Sequence, residues 1–420
     1  MCFCPSWCMK VTMERFDVIV LGAGLNGLAT ALALGGRKCR VPLKVVMVDR
    51  GDPVLAASQR SDSRASALTH ATQEMMRGLG VWDEISSHLQ PMNSIVVSDA
   101  KHGTPRDTLL SFLFAKGEPT SAMIENGLLL NAMLEEIAQS PSIKIMPNET
   151  VTNFKFGSGK AVIELASGLS LKAELIVGAE GRASPSRVAA GIKMTGWDYF
   201  HSAITLTVGH GLPHSGRAEE HFTEHGVFAI LPLTGNRSSI VWTEPHDKAL
   251  AICALAEADF KATLERQFGD HLGPLTVLSK PYVHPLAMQL SESFTSTRLA
   301  LVGDAAHVVH PLAGLGLNLG LKDAAALSEC VMAAASLGGD IGSDAALGSY
   351  NQWRRFDTLT TAMMIDGLHR LFANNVEGLR LLRQSGLRIV DKVGPIKAMF
   401  ANEAAGISGT LPRLMRGLAA

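Results

Sequence analysis

The sequence predicts an α/β protein organised around a Rossmann-like nucleotide-binding unit, and three stretches carry that expectation. "FDVIVLGAGLNGLATALAL" (16–34) reads as strand, glycine turn and helix, and "KVVMVD" (44–49) as a second strand closed by an acid. "LALVGDAAHVVHPLAGLGLNLGLKDAAAL" (299–327) reads as a third strand, a crossing that glycine and proline interrupt, and a long helix. Short apolar runs that end in glycine fit strands buried on both faces of a parallel sheet.

In the first stretch Val18 to Leu21 form the strand. Gly22 allows the tight turn, Gly24 lets the backbone approach a pyrophosphate, and Gly27 lets the helix pack on the strand. The helix N-terminus then offers free N–H groups and a positive dipole end to the phosphate. Asp49 follows Gly27 by 22 residues, where a carboxylate accepts hydrogen bonds from ribose hydroxyls. This pattern serves FAD, NAD and NADP alike.

"SDSRASALTHATQEMMRGLGVWDEI" (61–85) places Arg64 just ahead of an expected amphipathic helix carrying Leu68, Met75, Met76 and Leu79. An arginine there either clamps a phosphate or flavin edge or caps a solvated helix. "LKAELIVGAEGRASPSRVAAGI" (171–192) is a strand broken at Gly178 that runs through Arg182, Ser184 and Pro185 to Arg187. A charged connection and a cofactor-facing turn both fit it.

In the third stretch Gly303-Asp304 turns the chain at the carboxyl end of a strand, where ligands of open α/β sheets lie, so Asp304 is placed for a polyol hydroxyl. Pro311, Gly314 and Gly316 hold the backbone extended and close to a ligand. The helix is expected from about Asn318 to near Gly338-Gly339, with its N-terminus aimed at the cradled group. A helix dipole there would stabilise an anionic reduced flavin. His307 and His310 with Asp304 raise the idea of a metal site, but no further ligands cluster and no metal is expected.

The 420 residues allow two or three domains. With 38 Lys and Arg against 39 Asp and Glu, the balance gives no support to nucleic-acid binding. Hydrophobic residues make up 47% of the chain, yet no uninterrupted apolar run reaches the ~20 residues that a membrane span needs. Cysteines at 2, 4, 8, 39, 253 and 330 show no CxxC spacing. That spacing gives no support to a disulfide framework and fits a reducing cytosol. Residues 1–12 are expected to be a disordered extension ahead of Met13.

GAGLNG (22–27), Asp62-Ser-Arg64, GAEGR (178–182) and GDAAHVVHPLAGLGLNLGLKD (303–323) occur in one order. Together they resemble the group A flavin monooxygenases with the para-hydroxybenzoate hydroxylase fold. "GVFAILPLTGNRSSIVW" and "RRFDTLTTAMMIDGLHRLFAN" are similar to the ubiquinone-biosynthesis hydroxylases within that group. Relative to the family pattern, Glu180 stands for Asp, Leu315 for Gln, and Gly127 and Leu130 for Arg and Gln.

The resemblance implies a Rossmann-like FAD-binding domain (13–90, 120–195 and 285–345), an inserted mixed β-sheet substrate domain (91–119 and 196–284) and a C-terminal helical region (346–420). "HSAITLTVGH", "GVFAILPL" and "SSIVWTE" agree with the inserted sheet, and Phe228 and Trp242 read as its core. FAD would be held by Gly22, Gly24, Asn26, Gly27, Asp49, Arg50, Arg64, Gly303, Asp304, Pro311, Gly314, Gly316, Leu317 and Asn318. Glu180, Gly181 and Arg187 would link FAD to transient NADPH or NADH, unless a protein reductant supplies the electrons.

The implied activity is transfer of one oxygen atom of O2 to an aromatic ring, with a polyprenylated phenol of ubiquinone biosynthesis as the expected substrate. A small soluble aromatic acid and a non-catalytic flavin-binding scaffold are the alternatives. No catalytic base stands out; His201 and His221 are candidates. Residues 370–420 carry eight Lys and Arg against three acids. The tail therefore fits either a membrane surface or biosynthetic complex, or a helix with a solvated basic face. The expected location is cytoplasmic, peripheral at the inner face of the membrane.

Overall fold

The computed structural model describes residues 13–58, 64–99, 107–114, 120–223, 225–311, 314–372 and 405–418. The 1–12 extension, Asp62, Ser63 and most of the basic tail lie outside the described residues.

β1 (Val18–Leu21) is buried throughout and turns at Gly22 into α1 (Leu25–Gly35); β2 (Val45–Val48) pairs parallel with it. β3 (Ala65–Leu68) precedes α2 (His70–Leu79), which Thr69 caps by accepting from Thr72 N. After β4 (Ser94–Asp99), β5 (Ala122–Glu125) returns to pair antiparallel with β3. β6 (Leu175–Gly178) joins the parallel sheet beside β1. Then come β7 (Met194–His210), β8 (Arg217–Thr223), β9 (Gly226–Leu233) and β10 (Arg237–Pro245), followed by α3 (His246–Cys253) and α4 (Glu257–Phe268). β11 (Tyr282–Ser291) and β12 (Leu299–Leu301) lead to α5 (Leu315–Ser336) and α6 (Asp344–Phe372).

The nucleotide sheet runs Thr295–Ser296, β12, β6, β1, β2, Ile143–Met146, parallel except at the Thr295–Ser296 edge. Its strands read as continuous apolar runs because both faces are buried; the main core holds them together with α1, α5 and Ala161, Ile163, Leu165 and Leu171 of a separate four-stranded sheet. The inserted sheet runs His307–Val308, β11, β7, β10, β9, β8, β4, Asp107–Leu113; it is antiparallel except where β8 meets β4. The fold is therefore the expected one: a Rossmann-like FAD-binding region, a mixed sheet and C-terminal helices.

Pleating puts alternate side chains of the inserted sheet on opposite faces. Ile204, Leu206, Phe228, Ile230, Ile240 and Trp242 pack under α3 and α4. The Phe228 and Trp242 rings meet edge-on at 5.8 Å inside this core. The opposite face carries Phe222, Val227, Ala229 and Val241 towards Leu315 of α5 and Ile365 of α6.

Three details differ from the sequence reading. α5 begins at Leu315, one turn before Asn318, with Gly314 as a left-handed N-cap at φ +63°. Burial of Leu315 and Leu319 outweighs the roughly 1 kcal/mol that a glycine such as Gly316 costs in a helix. Leu68 lies in a strand, because Ala65–Leu68 finds β5 as a partner, so Arg64 precedes a strand and caps no helix. Residues 285–291 belong to the inserted sheet through pairing with β7. Among the described residues, no helix is long and apolar enough to cross a membrane.

Candidate functional site

The glycine turn after β1 is built for close approach. Gly22 sits at φ +96°, and a Cβ there would lie 2.5 Å from the Ala179 carbonyl oxygen. A Cβ at Gly27 would lie 2.0 Å from the Gly22 carbonyl oxygen, so only glycine allows α1 to seat on the turn. At Gly24 a Cβ would meet nothing within 4 Å. That position opens onto space at the N-terminus of α1, where its amides and dipole favour a phosphate.

Asp49 ends β2 with its carboxylate turned to the loops: Oδ2 accepts from Ala23 N at 2.6 Å and Oδ1 from Gly51 N at 2.8 Å. A carboxylate has about four acceptor sites, so two remain for ribose hydroxyls. Arg50 is exposed beside it.

The distant motifs meet here. The Asn26 side chain is wedged between two glycines: a Cβ at Gly303 would lie 2.1 Å, and one at Gly320 2.5 Å, from its Nδ2. Asn26 Oδ1 is buried and has no hydrogen-bond partner among the described residues. Asp304 is solvent-exposed yet walled by protein; burial pushes its carboxyl above the ordinary range, against the pull of His307, Arg64 and Arg182. A solvent-accessible carboxylate, next in sequence to the Gly303 that packs on the Asn26 amide, suits a hydroxylated chain. These features fit FAD, with the pyrophosphate at Gly24 and the polyol chain at Asp304.

The turn after β6 is braced from within. Glu180 accepts from Ser184 Oγ (2.5 Å), Ser186 Oγ (2.5 Å) and Ser186 N (3.1 Å); burial nevertheless holds its carboxyl above the usual range. Arg187 is buried and donates to the carbonyls of Ala305 and Arg182, both at 3.0 Å. Glu180 thus braces the turn after β6, and Arg187 ties that turn to Ala305, next to Asp304. Gly181 takes φ +78° with open space around it.

Asn318 spends its whole amide at the start of α5. Its Oδ1 accepts from Thr69 N (3.1 Å) and Thr72 Oγ1 (2.8 Å), and its Nδ2 donates to Ala67 O (2.7 Å) and Gly314 O (3.2 Å). It joins α5 to β3 and α2 and fixes where the helix N-terminus points. Pro311 is half-buried ahead of that N-terminus, and Leu317 packs against the main core. Gly316 leaves room up to the Val309 side chain at 3.8 Å. Leu315 and Leu130, where the family pattern has glutamine, both pack on apolar neighbours.

Asp323 and Arg354 escaped the sequence reading. Asp323 Oδ2 accepts from Gly303 N (3.0 Å) and bonds His307 Nε2 (2.6 Å), while Oδ1 accepts from Arg354 Nε (2.7 Å). Burial would raise the Asp323 carboxyl, but His307 and Arg354 hold it below the ordinary range. Arg354 also pairs with Asp357, so α5 and α6 both anchor the Gly303-Asp304 turn. An acid, Asp323, set among leucines and alanines inside α5 was the available signal. His307, considered above with a metal, is committed to Asp323.

The two histidines considered as bases lie on opposite faces of the inserted sheet, His221 with Phe228 and His201 with Ala203 and Thr205. His221 is buried between Ser98 Oγ (2.6 Å) and Glu219 Oε2 (2.8 Å), paired across from Phe228 on the face that α3 and α4 cover. His201 lies in the irregular part of β7, with Nδ1 2.7 Å from the Tyr199 carbonyl oxygen.

Residues 15–359 match the family model described as FAD binding domain. The chain is 39% identical over 407 residues to "Ubiquinone hydroxylase UbiL" of Rhodospirillum rubrum, covering 96% of this chain and 93% of the relative. It is 29% identical to "Ubiquinone hydroxylase UbiM" of Neisseria meningitidis, over 93% of this chain and 84% of the relative. Its fold is similar to p-nitrophenol 4-monooxygenase PnpA from Pseudomonas putida DLL-E4. The TM-score is 0.78 at 20% identity, with 95% of this chain and 100% of that chain covered.

Proposed function

The chain belongs to the FAD-binding monooxygenase family, and from that premise we propose that it hydroxylates a polyprenylated phenol in ubiquinone biosynthesis. The wall that faces the cofactor site supports this reading. Phe222, Val227, Ala229, Leu315 and Ile365 form an apolar cluster there, with Val97, Leu231, Val241 and Val309 packed against it. On that face of β8, β9 and β10 the register places a single cation, Arg237, opposite Leu233. Its guanidinium is bound to both Glu125 carboxylate oxygens, at 3.2 and 3.1 Å. A small aromatic acid needs a cation for its carboxylate; an uncharged, lipid-tailed ring needs the apolar wall. Relatives named as ubiquinone hydroxylases support the same substrate class.

Bound and reduced, FAD supplies an activated oxygen atom derived from O2. The chain's own residues position and shield that chemistry. The α1 N-terminus at Gly24 holds the pyrophosphate, and Asp304 accepts from the polyol chain. The α5 N-terminus at Gly314 would offer its positive dipole end to negative charge on a bound flavin. The apolar cluster excludes water from the reacting face. Arg64 and Arg182 form a cationic rim near Asp304 suited to a transient NADPH or NADH, and a protein reductant would use the same opening. The basic tail would bring the chain to the membrane that holds its substrate, at the cytoplasmic face.

Metabolite analysis of a deletion strain tests the assignment. The expected result is accumulation of a prenylated quinone precursor lacking one hydroxyl, restored by the wild-type chain. A normal quinone profile in that strain sinks it.

A further inference from the structure

Two threonines on the wall that faces the cofactor site have no explanation in the fold. β7 pairs with β10 so that Thr205 stands opposite Val241 and Thr243 opposite Ala203. The two side chains are therefore diagonal neighbours on one face. Val241 belongs to the apolar cluster with Phe222, Ala229, Leu315 and Ile365. Ile204 and Trp242, next to them in sequence, point the other way into the core under α3 and α4. Thr205 is 9% exposed and Thr243 1%. Neither Oγ1 has a hydrogen-bond partner among the described residues. An unmatched buried hydroxyl costs about 1–3 kcal/mol, while valine fills the same volume without that cost. Gly226 makes room for Thr243, since a Cβ there would lie 2.7 Å from Thr243 Cγ2.

We propose that Thr205 and Thr243 are specificity-determining residues whose hydroxyls take the oxygen substituents of the substrate ring. The proposal rests on the hydroxylase reading above and deepens it. A hydroxyl both donates and accepts, so the pair recognises an uncharged phenol or an ether oxygen and gives a carboxylate no counter-charge. The apolar cluster beside them takes the hydrocarbon part. The ring is thereby turned with its oxygen edge against β7 and β10, which decides the carbon presented to the flavin.

The test uses the FAD-loaded chain and its Thr205→Val, Thr243→Val and double variants. The probes are a short-chain prenylated methoxyphenol and the prenylated benzene that lacks both oxygens, each followed by the change in flavin absorbance on titration. The expected result is a phenol affinity about tenfold weaker per valine, close to 1.4 kcal/mol. Affinity for the oxygen-free probe should be unchanged, and the unfolding temperature unchanged or higher. KM should rise, with more product hydroxylated at the wrong carbon. A lower unfolding temperature with equal losses for both probes would show a structural role and overturn the proposal. So would unchanged phenol binding in the double variant. A wild-type chain that binds neither probe overturns the hydroxylase reading and this one with it.

Discussion

A side chain added at Gly24 would enter the space where a phosphate belongs, whereas one at Gly27 would strike the Gly22 carbonyl oxygen. Gly24→Val should therefore fold with a near-normal unfolding temperature and purify colourless, while Gly27→Val should lower the yield of folded protein. Circular dichroism melts beside the flavin absorbance of both variants separate the two effects. A yellow, tightly loaded Gly24→Val would refute the pyrophosphate assignment. Asp304 carries a second prediction at this scale. Its folded-state pKa is raised above the ordinary 3.8 by burial. A raised acid stabilises the fold below its ordinary value, and that contribution is lost as pH rises through the folded value. In cofactor-free protein Asp304→Asn should then match wild type near pH 4 and melt higher at neutral pH. With FAD present the order should reverse, because the variant loses a strong acceptor. Melting curves against pH, with and without FAD, check both halves.

At the scale of elements, Asp323 joins α5, α6 and the Gly303-Asp304 turn through His307, Arg354 and Gly303 N. Asp323→Asn removes the carboxylate that Arg354 Nε and His307 hold and leaves the buried guanidinium with Asp357 alone as counter-ion. Breaking a buried pair in this way costs roughly 3–5 kcal/mol, so urea unfolding should shift by that order and FAD affinity should fall with it. An unchanged midpoint would show that the pair is dispensable. This scale also shows where sequence reading stops. The positions of the turns at Gly22 and at Gly303-Asp304 were legible because their neighbours in sequence set them: a strand ends and a glycine allows the turn. Asp323 and Arg354 were not, since a charge at zero exposure looks like a solvated one until the packing of α5 on α6 is known. The apolar wall and its two threonines depend on the register of β7, β9 and β10. A one-residue slip would send each of those side chains to the other face.

At the scale of the whole molecule, the inserted sheet separates two environments, one core under α3 and α4 and one apolar wall towards Leu315 of α5 and Ile365 of α6. The basic tail around Arg380, Arg383 and Arg388 lies outside the described residues, and its role is predicted from charge alone. Reversing those three charges should weaken binding to anionic liposomes and leave the flavin spectrum intact; full quinone synthesis in cells carrying the variant would remove the membrane role. The Asn26 wedge has a consequence in time. Its two glycine partners, Gly303 and Gly320, emerge from the ribosome about 290 residues after it, roughly 15–60 s later at 5–20 residues per second. Until then the first glycine turn has no lid, and the nascent chain cannot close around a dinucleotide. Cofactor capture is therefore an event of the last third of synthesis, and a ribosome stalled before α5 should hold a chain that stays colourless however much FAD surrounds it.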